Sequence, residues 1–263
     1  MTDGVLRLRP FDPQAVEVVL CDADGNLFGS EEPAFDASTE VTNRLLAALG
    51  SDRTFTPHVL RRRSMGRTFR ATAQDLAAEA GATLEPGELE RWVAEERAAV
   101  IAHLSSVLRP DPAVQGPLRA LAGAFDLAVV SSSALERLAA CFTATGLDNL
   151  LPADVRFSAE DSLPVPTSKP DPAIYTFAGE QLSVTGAAGL AVEDAAAGAQ
   201  SAVAAGFPTV GNLQFVAPAE REERIEALRD AGVVAIVPSW QHLTELLGRE
   251  TAAEALEAAG RAS

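Results

Sequence analysis

Cysteine, tryptophan and histidine are scarce in this chain: 263 residues include two Cys, two Trp and three His, and basic residues are outnumbered by acidic ones, 21 to 37. Each scarcity excludes something. Cys21 and Cys141 form no paired metal-ligand spacing and suggest no disulfide framework. Cys21 lies inside an apolar run, where a buried, inert thiol is expected. A formal net charge of -16 and a pI near 4.6 repel phosphate backbones and anionic lipid, so neither nucleic acid nor a membrane surface is an expected partner. No apolar run reaches the roughly 18 residues of a spanning helix. Met1 to Phe11 lacks the apolar stretch of a signal peptide. The expected compartment is cytoplasmic. What remains is a soluble globular composition, 47% apolar and 22% charged, long enough for one large domain or two modest ones.

The chain is organised around Val18-Val19-Leu20-Cys21-Asp22-Ala23-Asp24-Gly25. The β-branched run from Val16 to Leu20 predicts a buried strand that stops at two carboxylates. In an open α/β sheet, ligands bind beyond the carboxyl ends of the strands. Two acids this close repel and are costly to desolvate, so a cation or a shared proton is expected between them. A calcium loop beginning D-x-D-x-N would need Gly at its sixth position and Glu at its twelfth; Leu27 and Pro33 stand there, and a strand precedes. A plain Asp/Gly turn remains the alternative for this stretch taken alone.

From about residue 30 to 106 the pattern is helical, with helices expected near Ser38–Leu49, Thr56–Arg62, Arg67–Ala80 and Pro86–Leu104, broken at Gly50, Gly66 and Gly81. After Arg109-Pro110-Asp111-Pro112, strands and helices alternate, which predicts an α/β doubly wound parallel sheet. The expected organisation is a core domain of residues 1–29 and 107–263 with a helical cap domain, 30–106, inserted after the first strand.

Three later stretches supply chemistry. The strand Leu127–Val130 runs into Ser131-Ser132-Ser133. Ser133 with Glu136 reads as a capping box, leaving Ser131 and the turn at Ser132 as a phosphate cradle or a merely polar turn. Lys169 sits between Ser168 and Pro170, followed by Asp171-Pro172, an N-cap before Pro at the first helical position. A lysine fixed this way suits a phosphoryl group; a solvated surface lysine is the alternative. The strand Leu190–Val192 ends in Glu193-Asp194, where Asp194 is either a helix cap or one of several acids gathered in one crevice. A hard cation such as magnesium suits a few carboxylates with phosphate and water.

Asp22-x-Asp24-Gly25, the strand ending in Ser131, Lys169-Pro170 and Glu193-Asp194 stand in the order of the haloacid dehalogenase superfamily. The chain resembles its branch with a helical cap after the first strand, similar to β-phosphoglucomutase-like and phosphoglycolate phosphatase-like proteins. That resemblance implies a Rossmann-like core and a magnesium-dependent phosphatase of small phosphorylated metabolites. It implies Asp22 as nucleophile, Asp24 as acid and base, and Ser131, Ser132 and Lys169 as ligands of the phosphoryl oxygens. Magnesium would be held by Asp22, the carbonyl of Asp24, Asp194 and Glu193. Asp24 argues against dehalogenation, since the dehalogenases lack it. A mutase of the β-phosphoglucomutase type is one alternative, but the cap-linker histidine of that branch is Ala34 here. A non-catalytic binding protein that keeps only the fold is the other, and the intact Asp22, Asp24, Ser131, Lys169 and Asp194 set argues against it. Asn26 stands where Thr or Val is usual, a position whose backbone amide does the work. Arg53 to Arg70 carries six arginines and no acid, and the resemblance places a specificity loop around Gly66. Arg67, then Arg70, are the substrate-contact candidates, while ion pairs to acidic neighbours are the expectation for Arg61, Arg62 and Arg63.

Overall fold

A computed structural model describes residues 4–64 and 68–248. The chain divides into two compact units, Met1–Phe28 with Arg109–Ser263, and Gly29–Leu108.

The first unit is built on one sheet. Its strands are β1 (Leu6–Arg7), β2 (Val18–Cys21), β3 (Asp126–Ser131), β4 (Arg156–Ser158), β5 (Gly189–Glu193), β6 (Thr209–Asn212) and β7 (Ala235–Val237). Their order is β1-β7-β6-β5-β2-β3-β4, parallel except for β1, which pairs antiparallel to β7. The α/β doubly wound expectation holds. From β2 the chain builds outward to β3 and β4, then returns to the other flank of β2 with β5 and builds outward again. The crevice between β2 and β5 is therefore the switch point where such sheets bind ligands. Register fixes what meets there: Cys21 pairs with Val192, and the next N–H, that of Asp22, donates to Val192 O at 3.0 Å.

Both faces of the sheet are covered, which is why its central strands read as unbroken apolar runs. Helices α7 (Ala173–Leu182) and α8 (Ala196–Ala204) pack Ile174, Tyr175, Ala178 and Ala202 onto Leu20, Val130 and Ala191. Helix α9 (Arg221–Ala231) closes a second cluster with Leu228 on Val233 and Ile236. Helices α5 (Pro112–Ala122), α6 (Leu135–Thr145) and α10 (Trp240–Leu247) complete the unit. Leu20 is wholly buried, and burying such a side chain stabilises by about 1.5–3 kcal/mol.

The second unit holds α1 (Glu31–Ala48), α2 (Pro57–Ser64), α3 (Phe69–Glu79) and α4 (Pro86–Val107). Val41, Leu45, Ala73, Leu89 and Trp92 form one of its buried clusters; Leu46, Phe55, Leu60 and Leu76 form another. Helix α1 starts seven residues earlier than Ser38, the expected start. Pro33 falls in its first turn, where no intrahelical N–H is needed, and Glu31 and Glu32 suit the positive end of the helix. The expected breaks at Gly50 and Gly81 are present, both glycines having positive φ. The break at Gly66 lies outside the described residues.

Candidate active site

Four strand ends of the first unit bring the candidate residues together. Beyond β2 the chain folds tightly, with Leu27 N donating to Ala23 O at 2.9 Å and Gly25 N to Phe28 O at 3.0 Å. Gly25 takes φ +77°, and a Cβ there would stand 2.7 Å from Asp194 Oδ2. Only glycine allows this turn to lie so close to the end of β5.

Asp22 is buried, and Lys169 Nζ donates to its Oδ1 at 2.6 Å. The same ammonium donates to Glu193 Oε1 at 2.6 Å and to Val130 O at 2.7 Å, so its three protons have three acceptors. Lys169 is the only lysine in the sequence, and its side chain is 7% exposed. Tyr175, the only tyrosine, donates to the same Oε1 of Glu193. Burial pushes the Asp22 carboxyl up, opposed by Lys169, with Asp24 adding to the rise. Burial and the neighbouring Asp22 push Glu193 up to about 8. Burial works against the Lys169 ammonium, but the two carboxylates more than offset it and hold the ammonium charged. Two buried acids thus share one cation. Burial first, then Glu193, raises the Tyr175 phenol well above its ordinary range, so it stays a donor.

Asp194 follows at the end of β5. Arg224 of α9 donates from Nη1 to its carbonyl at 2.7 Å and to its Oδ2 at 2.9 Å. Ala195, not Asp194, stands at the N-cap of α8. Carboxylate oxygens of Asp22, Glu193 and Asp194 lie within 4.8 Å of one another, all three residues buried. Hard oxygen donors clustered with fewer cations than charges fit a small divalent cation. The carboxylate of Asp24 is not one of the three.

Ser131 and Ser132 also reach the crevice. Ser131 Oγ accepts Ser133 N at 3.1 Å and Ser132 Oγ accepts Lys169 N at 3.1 Å, so each hydroxyl keeps its own hydrogen as a donor. The capping box expected of Ser133 and Glu136 is absent. Helix α6 begins at Leu135, and its first amide donates instead to Asp161 Oδ2, 2.6 Å away, from the loop after β4. The Ser133 hydroxyl donates to Asp24 Oδ2 at 2.6 Å. Asp24 Oδ1 meets Arg137 Nη2 at 2.7 Å. Asp171 acts as expected, its Oδ1 accepting Ala173 N at 2.9 Å.

Arg137, Tyr175 and Arg224 were not anticipated, because each lies outside the four motifs and comes close only through the fold, and Ser133, expected as a helix cap, instead meets Asp24. Asn26 was undervalued. Its amide donates to Asp22 O at 3.0 Å and Val192 O at 2.9 Å and accepts from Asn212 Nδ2 at 2.8 Å, stapling β2 to β5 and β6. Cys21 is buried, and burial holds its thiol well above the ordinary range. In the other unit, Arg53 and Arg63 pair with Glu79, and Arg61 pairs with Glu31 at 3.2 Å. Arg70 pairs with Glu90 on the surface. Arg67 lies outside the described residues.

A profile of the haloacid dehalogenase-like hydrolases matches residues 16–206. The chain belongs to that family. Similar solved structures include a haloacid dehalogenase-like protein of Agrobacterium tumefaciens, 24% identical, with TM-score 0.67 over 88% of this chain and 97% of that one. A family hydrolase of Deinococcus radiodurans, solved with phosphate and sodium, is 23% identical, with TM-score 0.63 over 89% and 95%. CbbY of Rhodobacter sphaeroides, solved with xylulose 1,5-bisphosphate, is 21% identical, with TM-score 0.64 over 86% and 95%. These similarities show a shared fold. No curated protein matches the sequence.

Beside this cluster, Gly198 is a close-approach position. A Cβ there would stand 1.9 Å from Glu193 Oε2, and Glu193 cannot yield without losing Lys169 and Tyr175. Helix propensity alone would favour alanine by up to about 1 kcal/mol. Overpacking outweighs this, so Gly198→Ala is expected to lower stability by about 1–3 kcal/mol in urea denaturation. Gly116, inside α5 with nothing within 4 Å of its Cβ position, is the control. Gly116→Ala should be stabilising, and two changes of the same sign would contradict the packing argument.

Proposed function

We propose that the chain is a magnesium-dependent phosphomonoesterase acting on a small phosphorylated metabolite, a sugar or other organic phosphate, with Gly29–Leu108 as its helical cap. The observation that carries the reading is the pairing of Asp22 with Lys169 at 2.6 Å, at the switch point, where Asp22 is one of three clustered buried carboxylates. The phosphate and the sugar bisphosphate bound by two proteins of the same fold support a phosphoryl ligand.

One carboxylate oxygen of Asp22 attacks phosphorus and the bond to the leaving oxygen breaks, giving an aspartyl-phosphate. Asp24, entering this step protonated, gives its proton to the leaving oxygen, and the carboxylate so formed takes a proton from the water that attacks the same phosphorus. The second attack breaks the Asp22–phosphorus bond and returns the carboxylate with inorganic phosphate. Lys169, Ser131 and Ser132 hold the phosphoryl oxygens by charge and hydroxyl donation. Asp22, Glu193, Asp194 and the carbonyl of Asp24 would hold magnesium, which supplies charge neutralisation for the transferring group. Because this transition state is loose, positioning and charge account for most of the rate.

Release of phosphate from 4-nitrophenyl phosphate, with and without magnesium, tests the reading. Release that requires magnesium is expected; none under either condition would overturn it. Magnesium should also raise the melting temperature by mass action, and Asp194→Ala should remove most of that gain. An unchanged gain in Asp194→Ala would remove the residue from the metal site.

A further inference from the structure

Asp24 differs from the other acids of the site in what holds it. Lys169 spends its three protons on Asp22, Glu193 and Val130 O. Asp24 is gripped instead by the Arg137 guanidinium of α6 on Oδ1 and by the hydroxyl of Ser133, in the turn before α6, on Oδ2. Arg137 and Asp24 are partly buried, with side chains 26% and 20% exposed, so the pair is shielded on most sides without being sealed from the crevice. Cys141, one turn beyond Arg137, offers Asp24 no charge. Burial first, with Asp24 nearby, pushes its thiol up to about 12.

We propose that Arg137, with Ser133, is a positioning residue that fixes the orientation of the Asp24 carboxylate for proton transfer to the leaving oxygen and from water. The proposal rests on the phosphatase reading above. A carboxylate held through both oxygens has its rotation about χ1 and χ2 restricted. Proton transfer requires its oxygen within hydrogen-bond reach of the reacting group, and small misplacements are costly. The guanidinium makes this restriction from α6, a rigid element, and the hydroxyl from the turn just before it.

The test uses two aryl phosphates of nearly the same shape, 4-nitrophenyl phosphate and phenyl phosphate. The first has a leaving group that departs without much help from an acid, and the second depends on one. Arg137→Met should lower kcat/KM for phenyl phosphate by roughly tenfold or more beyond any loss on 4-nitrophenyl phosphate, a modest part of what proton transfer contributes. Arg137→Lys should recover part of that difference. Ser133→Ala should show the same bias and serves if Arg137→Met does not fold. With 4-nitrophenyl phosphate, rapid quenching should find more phosphoenzyme in Arg137→Met than in the wild type, because the water step loses its base. Equal losses on both substrates, or no loss, would overturn the proposal while leaving the phosphatase reading intact. A wild type that releases no phosphate from either substrate would instead overturn that reading, and this proposal with it.

Discussion

Asp22→Asn is expected to lower phosphate release by roughly 10⁴-fold or more, the scale on which losing a nucleophile is felt. An amide cannot form the acyl-phosphate. The same substitution should not weaken the fold. Asp22 is a buried acid whose charged form is disfavoured by burial and by Asp24, and Lys169 only partly offsets this. A neutral side chain of nearly the same shape removes that cost and leaves the ammonium with Glu193. Urea denaturation of metal-free protein should therefore show Asp22→Asn at least as stable as the wild type. Lost activity with a badly destabilised fold would make the residue structural first.

Lys169→Met is expected to fail in both respects. Removing the ammonium leaves Asp22 and Glu193 buried beside each other without their cation, and breaking such a pair typically costs about 3–5 kcal/mol. Activity should fall by roughly 10²–10³-fold, the usual effect of losing one electrostatic contact to the transferring group. Part of the stability loss should return on adding magnesium, since the carboxylates left behind form two-thirds of the acidic cluster. Urea denaturation with and without magnesium checks this. A Lys169→Met protein as stable as the wild type in the metal-free state would contradict the charge argument.

The frame of this site was legible in the sequence because its parts sit at strand ends. An apolar β-branched run stopped by acids marks both the strand and its carboxyl end, as at Asp22 and at Glu193-Asp194. Glycine and proline marked the turns, and alternation of strand and helix gave the parallel sheet. The rest was hidden for physical reasons. Ser133 with Glu136 is a sound local capping pattern, but a distant carboxylate, Asp161, competes for the helix amide and wins. Arg137 and Arg224 look like solvated helix residues in sequence; the sheet brings each onto an acid more than 25 residues away. Asn26 looked like a neutral departure because its three partners come from three different strand ends. The single lysine was the signal available but unused: in a chain with 20 other cations, all arginine, the one ammonium lies at the centre of the site. The tail helix α10 and the two-residue β1 were too short or too mixed in pattern to stand out.

The central claim is that the phosphoryl group passes through Asp22. Rapid acid quenching of the magnesium-loaded protein during turnover of 4-nitrophenyl phosphate, followed by peptide mass spectrometry, locates the group directly. The expected result is one phosphoryl group on the peptide containing Asp22, lost on alkaline treatment as an acyl-phosphate is, and absent in Asp22→Asn. Phosphate found on Ser131 or another residue, or turnover with no phosphoenzyme in either the wild type or Asp24→Asn, would contradict the mechanism.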